Sequence, residues 1–167
     1  KGLLASKRFT FIEQDILDSD MNKLTEGADH IYHEAAQPGV TASYDNVDEY
    51  IRNNIFATAK VLDAAKKNKT RKVVFASSSS VYGELSIYPF REVFPIKPVS
   101  PYAMTKMKAE ELCLMYHKED KVPVVTLRYF TVYGPKQRPD MAIYKLIKAA
   151  LSGEKFILYG DGAQERD

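Results

Sequence analysis

Short apolar runs and longer amphipathic stretches alternate along the 167 residues of the chain. Residues 8–16 (RFTFIEQDI) predict a short strand ending in a polar turn. Residues 30–35 predict a second strand. Residues 71–77 (RKVVFAS) and 122–129 (VPVVTLRY), both rich in β-branched or aromatic side chains, predict two more. Between them, residues 47–68 set Ile51, Ile55, Val61, Leu62 and Ala65 mostly on one helical stripe. Ser100 followed by Pro101 reads as an N-cap with proline in the first turn, opening a helix that should run to about Asp120. A further helix is expected over residues 140–152, closed by Gly153. Strands and helices in this alternation predict an α/β fold, a parallel sheet wrapped by helices. Residues 83–99 break the rhythm: they carry Pro89, Pro95 and Pro98 and show no period. A loop of that length in a compact domain is usually functional or disordered, and its position favours the substrate side.

Composition narrows the picture. The formal charge of +2, with 24 basic against 22 acidic residues and no long like-charge block, gives no support to a nucleic-acid or membrane-surface partner. No apolar run approaches a membrane span, and the first ten residues lack the pattern of a signal peptide. The single cysteine, Cys113, falls in a helical pattern and reads as a small buried apolar residue. The expectation is a soluble, cytoplasmic mixed domain without a metal site.

Two segments carry chemistry. Tyr102 and Lys106 in SPYAMTK stand four apart on a predicted helix and therefore share a face. A phenol with a pKa of about 10 is a poor base at neutral pH; lowering it by about 3 pH units takes about 4 kcal/mol of preferential stabilisation of the phenolate. A lysine held in a partly dry cleft is suited to supply that. Spacing alone does not decide, since Tyr144 and Lys148 repeat it and read as an ordinary exposed pair. The second segment does decide: a strong strand runs into Ser77, Ser78, Ser79 and Ser80, then Val81, Tyr82 and Gly83. The C-terminal ends of strands are where open α/β sheets bind ligands.

Seven stretches then occur in order: QDI (14–16), HEAAQPG (33–39), NNIFAT (53–58), SSSSVYG (77–83), SPYAMTK (100–106), RYFTVYGP (128–135) and GDGAQERD (160–167). Together they resemble the NAD-dependent epimerase/dehydratase family, the extended short-chain dehydrogenase/reductases, and within it the UDP-sugar 4-epimerases. The resemblance implies a Rossmann-type doubly wound parallel sheet, truncated at both ends here. Residues 1–152 would form part of the NAD-binding domain and residues 153–167 the start of a smaller substrate-binding region. It implies a catalytic set of Ser78, Tyr102 and Lys106. Ser78 would hydrogen-bond the sugar oxygen, Tyr102 would be the general base, and Lys106 would bind the nicotinamide ribose and depress the tyrosine. Asp15 and Ile16 resemble adenine contacts, and Ala35, Ala36 and Gln37 the loop beside ribose and pyrophosphate. Asn53 resembles a further cofactor residue, and Phe130 the residue flanking the nicotinamide. Ser80, Thr131 and Arg166 match positions of substrate contacts, with Thr131 standing where the epimerases usually carry Asn. Glu34 stands where an apolar residue is commoner.

The resemblance also bears on the reaction. Sugar 4,6-dehydratases of the family carry Asp-Glu at the positions of Ser79 and Ser80, and the decarboxylases keep Glu at the second. Serines cannot perform those proton transfers at pH 7. The implied activity is reversible oxidation at C4 of a UDP-sugar with bound NAD. The AAQPGV segment (35–40) is closer to the UDP-glucuronate branch than to the UDP-galactose branch. A reductase of 4-keto nucleotide sugars and a non-catalytic nucleotide-binding module are the alternatives. Homodimerisation through the helices bearing Asn53 and Tyr102 is implied as well. The chain holds no G-x-x-G-x-x-G, the loop that seats the cofactor pyrophosphate at a helix N-terminus in this family. The expectation is thus a piece of a protein of roughly 300 residues, inactive alone, in which residues 9–15 correspond to the third strand of the order 3-2-1-4-5-6 and stay unpaired with residues 30–35.

Overall fold

A computed structural model describes residues 3–85, 87–158 and 160–162. Three strands form one parallel sheet in the order β1 (His30–His33), β2 (Lys72–Ser78), β3 (Val124–Tyr129). The register pairs Ile31 with Val73 and Val73 with Val124, so alternate residues line up across the sheet on a common face. The face bearing Val73 and Phe75 packs against two helical layers. In the first, α2 (Val47–Ile51) passes through a π-helical turn (Arg52–Phe56) into α3 (Ala57–Lys67); the second is α4 (Pro101–Glu119). Leu62, Ala65, Val73, Phe75, Ala109, Cys113 and Val122 are buried there as one core. The opposite face leaves Tyr32, Val125, Leu127 and Tyr129 exposed, whereas wholly parallel sheets are usually covered on both sides.

The local signals act where expected. The Ser100 hydroxyl accepts from the Ala103 N–H at 3.1 Å, with Pro101 in the first turn of α4. Gly153 closes α5 (Ala142–Ser152) at φ +70°. The helix foreseen over residues 47–68 is present as a continuous rod, interrupted only by the π turn. A short α1 (Met21–Leu24) capped by Asp20 precedes β1.

Residues 8–16 are not a strand. A strand exists only with a hydrogen-bonded neighbour, and among the described residues none pairs with them. They remain separate from β1, as expected. The stretch that follows is tied down differently: the Lys60 ammonium donates to the Leu17 carbonyl, and the Ser19 hydroxyl donates to the Asp15 carbonyl.

After β2 the chain enters a 3-10 turn (Ser79–Tyr82) and then the long loop. Gly83 sits at φ +69°, and a Cβ built there would lie 2.0 Å from the Lys97 carbonyl oxygen, while the Lys97 N–H donates to the Val81 carbonyl. Only glycine lets the two ends of the loop approach this closely. Gly83→Ala is expected to cost about 1–3 kcal/mol, read as a lowered denaturant midpoint with an unchanged slope; an unchanged midpoint would mean that the loop ends part freely.

Candidate active site

β2 delivers Ser78 to the C-terminal edge of the sheet. Its hydroxyl caps the 3-10 turn by accepting the Ser80 N–H at 3.2 Å and donates to the Ser80 hydroxyl at 3.1 Å. Facing it is the first turn of α4. Tyr102 hydrogen-bonds Ser78 and packs edge-on against Tyr50, with ring centroids 6.2 Å apart at 80°. One turn later lies Lys106, 3% exposed, its ammonium 4.5 Å above the Phe75 ring. Among the described residues no carboxylate comes within 4 Å of that ammonium. The serine, tyrosine and lysine picked out from the sequence are therefore brought together.

The electrostatics depart from expectation at one point. Burial raises the Tyr102 pKa above its ordinary value; the bond to Ser78 pulls it down, and Arg138 adds to that pull. The lysine does not lower it in the protein alone. Burial instead brings Lys106 itself down to about 8, against the opposing pull of Cys113, Glu34 and Glu110. A buried ammonium whose proton is loosened by burial, with no carboxylate against it among the described residues, is a group prepared for a polar ligand.

His33 lies beneath this face, 4% exposed, its ring 5.7 Å from Phe75. The Thr58 hydroxyl donates its proton to the Asn54 carbonyl at 2.7 Å, so His33 Nε2 must carry the hydrogen that joins it to Thr58 Oγ1 at 2.9 Å. Burial, and then the Lys106 charge, lower His33 to about 4. A neutral form favoured by folding loses its advantage as pH falls from the unfolded value near 6.5 through 4. About 3 kcal/mol of stability should therefore disappear across that window, measured as urea midpoints at pH 7 and 4. The loss should be much reduced in His33→Asn; an equal loss in the variant would place the acid sensitivity elsewhere.

Asn54, rather than its neighbour Asn53, fixes the loop after β1. It is 1% exposed: its carbonyl accepts the Gln37 N–H at 2.7 Å, and its amide donates to the Gln37 carbonyl at 3.1 Å and to the Thr105 hydroxyl at 3.0 Å. One side chain thus joins the loop of Ala35, Ala36 and Gln37 to the helix carrying Tyr102 and Lys106. Asn53 is half-buried on the same π turn, a distortion often found at functional sites. The NNIFAT run contains both asparagines, and nothing in their spacing tells them apart.

A cavity of about 480 Å³ opens beside Ser80 and is walled by Phe130, Thr131 and the loop residues Leu85, Tyr88 and Phe90. Phe130 is held edge-on to Phe90 at 5.3 Å, and Phe90 leans in turn on Tyr82 at 5.2 Å. Asp15 is exposed and accepts the Leu17 N–H at 2.7 Å, with Ile16 half-buried beside it. Glu34 is exposed. Tyr144, 40% exposed, stands away from the site, as an ordinary helix-surface residue does. Arg166 lies outside the described residues. Among the described residues no cluster of metal-ligating side chains occurs, and no helix is long and apolar enough to cross a membrane.

One feature of the site was not foreseen. Glu110, one turn beyond Lys106, takes the Arg128 guanidinium in a forked pair, with Nη2 at 2.9 Å and Nε at 3.1 and 3.2 Å from the carboxylate oxygens. Ser77 donates to the same carboxylate. Such a pair, joining residues of a helix and a strand, has no local sequence signature.

A parallel sheet with serines at a strand end, facing a tyrosine and a buried lysine on one helix, has the ligand-site arrangement of open α/β nucleotide-binding folds. Residues 2–167 match the NAD dependent epimerase/dehydratase family, and the chain belongs to it. It is 46% identical over 168 residues to an uncharacterized UDP-glucose epimerase, YtcB, of Bacillus subtilis, covering 100% of this chain and 53% of that protein. It is 39% identical to a UDP-glucuronate 4-epimerase of Thermodesulfobacterium geofontis, covering 99% and 52%. Among solved structures, UDP-glucuronic acid 4-epimerase of Bacillus cereus, in complex with UDP-glucuronic acid and NAD, superposes with a TM-score of 0.92 at 46% identity. That match covers 98% of this chain and 52% of that one. The chain spans about half the length of the curated relatives it matches.

Proposed function

We propose that the whole protein is a UDP-sugar 4-epimerase that uses NAD, with Ser78, Tyr102 and Lys106 as its catalytic residues. The observation that carries this reading is the convergence of the Ser78 hydroxyl, the Tyr102 phenol and a buried Lys106 ammonium, without a carboxylate partner among the described residues, beside a cavity whose wall carries Ser79 and Ser80. The residues fit the cofactor's nicotinamide riboside half. The Lys106 ammonium would meet ribose hydroxyls, Phe130 would flank the ring, and the loop of Ala35, Ala36 and Gln37, with Asn53, would lie along the ribose and pyrophosphate. Asp15 and Ile16 would meet the adenine. When bound, NAD supplies the reversible oxidation of the sugar carbon.

The protein's own groups handle the proton. Ser78 holds the C4 oxygen, and Tyr102 removes its proton and later returns it, bonded throughout to the serine. Lys106 would hold the nicotinamide ribose beside Tyr102, while Ser78 and Arg138 pull down the phenol that burial raises. Ser80 and Thr131 would contact the sugar or its diphosphate from the cavity wall, with Arg166 completing the anion site. Neither Ser79 nor Ser80 can drive an elimination, which supports epimerisation over dehydration. A homodimer through the helices bearing Asn53 and Tyr102 accords with the exposed Phe56 on the π turn and Met104 on α4, and the π turn packs against α4.

Incubation of the whole protein with UDP-glucose, UDP-N-acetylglucosamine and UDP-glucuronate, each without added cofactor, tests the reading. It predicts the C4 epimer of at least one sugar. No epimer from any of them, with NAD(P)H consumed only on 4-keto sugars, would make the protein a reductase.

A further inference from the structure

The Arg128–Glu110 pair lies behind the tyrosine–lysine face and takes no part in the proton chemistry proposed above. Both side chains are largely shielded, 18% and 10% exposed, so each charge depends on the other. Arg128 spends its remaining donors on the loop side. Its Nη1 reaches the Tyr82 hydroxyl and the Glu92 carbonyl, each at 3.0 Å, and its guanidinium lies 4.8 Å over the Tyr82 ring. Two residues further along β3's exit is Phe130, which faces Phe90 across the cavity wall. One guanidinium therefore joins α4, the turn after β2, the end of β3 and the loop.

The geometry points to Arg128 as a positioning residue for sugar recognition: anchored by Glu110, it holds residues 87–99 against the end of β3 and so sets the cavity wall formed by Tyr88, Phe90 and Phe130. The assignment rests on the epimerase reading. It predicts a split in the kinetics, because a displaced wall weakens sugar binding while the Ser78–Tyr102–Lys106 contacts stay in place.

The test is Arg128→Lys in the whole protein. The lysine keeps a charge opposite Glu110, but one ammonium cannot replace a planar fork that serves Glu110, Tyr82 and Glu92 together. Hydrogen exchange of the backbone amides of residues 87–99 should accelerate at least about tenfold. KM for the UDP-sugar should rise about tenfold, with kcat within about threefold. Native exchange in residues 87–99, or kcat falling as far as KM rises, would overturn the assignment. Should Arg128→Lys not fold, the double variant Arg128→Met with Glu110→Met removes both charges together, a change buried pairs often tolerate. There, exchange in residues 87–99 alone decides, with acceleration supporting the role and protection overturning it. If the native protein epimerises no UDP-sugar, the proposed function falls. Exchange and the Kd of the UDP-sugar, measured on the same variants, then decide this assignment separately.

Discussion

Replacing Tyr102 by phenylalanine in the whole protein should lower kcat by about 10²- to 10⁴-fold, the range attributable to one positioned acid–base group. The substitution deletes a single oxygen. The ring keeps its edge-on contact with Tyr50, and the helix keeps its Ser100 cap, so the thermal midpoint should hardly move. Removing a group whose burial raises its pKa also removes a polar atom from a partly dry site, and any stability change should be small or favourable. KM for the sugar should change little, because the lost interaction belongs to proton transfer. Survival of more than about a tenth of the activity would mean that another group takes the proton. Arg138 is excluded as that group, since its pairing with Asp140 keeps it firmly protonated.

Lys106→Met should move activity and stability in opposite directions. The amine titrates near 8 in the folded chain and 10.5 when exposed, a gap that corresponds to about 3 kcal/mol. The sign follows from the lowered folded value. Below pH 8 the lysine is charged in both states and the full burial cost is present; above 10.5 it is neutral in both and the cost is gone. The Lys106 contribution to stability should therefore rise between pH 8 and 10.5, against the loss that the raised Cys113 thiol and Tyr116 phenol bring as the unfolded chain deprotonates. The methionine variant, which keeps an unbranched apolar stem over Phe75, should be up to about 3 kcal/mol more stable at pH 7, and its advantage over the native protein should vanish by pH 10.5. Its turnover should fall at least about 100-fold, because the group that would hold the nicotinamide ribose beside Tyr102 is gone. Denaturant titrations at pH 7 and 10.5 read the first effect. A variant less stable than the native protein at pH 7 would show that the ammonium has a favourable partner in the fold.

What could be read from the chain and what could not divide along a physical line. β2 and α4 were legible because their signals are local: a β-branched run ending in serines, and a serine cap before proline. The Ser78–Tyr102–Lys106 set followed, since a strand end and the first turn of the next helix meet by topology. Residues 8–16 have the composition of a strand, yet strand formation depends on a neighbour that composition does not reveal. Asn54 and Asn53 differ only in which way a π turn points them, and that depends on the packing of α4. Glu110 and Arg128 meet across two elements, so their pairing belongs to the tertiary structure. The raised Tyr102 pKa is of the same kind. The spacing to Lys106 predicted a phenol pulled down by an ammonium and carried no sign of the burial that raises it.

The central claim, that this site exchanges the configuration at C4 by transient oxidation, is tested most directly with UDP-sugars carrying deuterium at C4. The whole protein, without added cofactor and in ordinary water, should convert the substrate to its C4 epimer with the deuterium retained at C4, and Tyr102→Phe should give almost none of that product. A C4 epimer that carries a solvent proton at C4 in place of deuterium would contradict the account, because the inversion would then proceed by deprotonation of carbon.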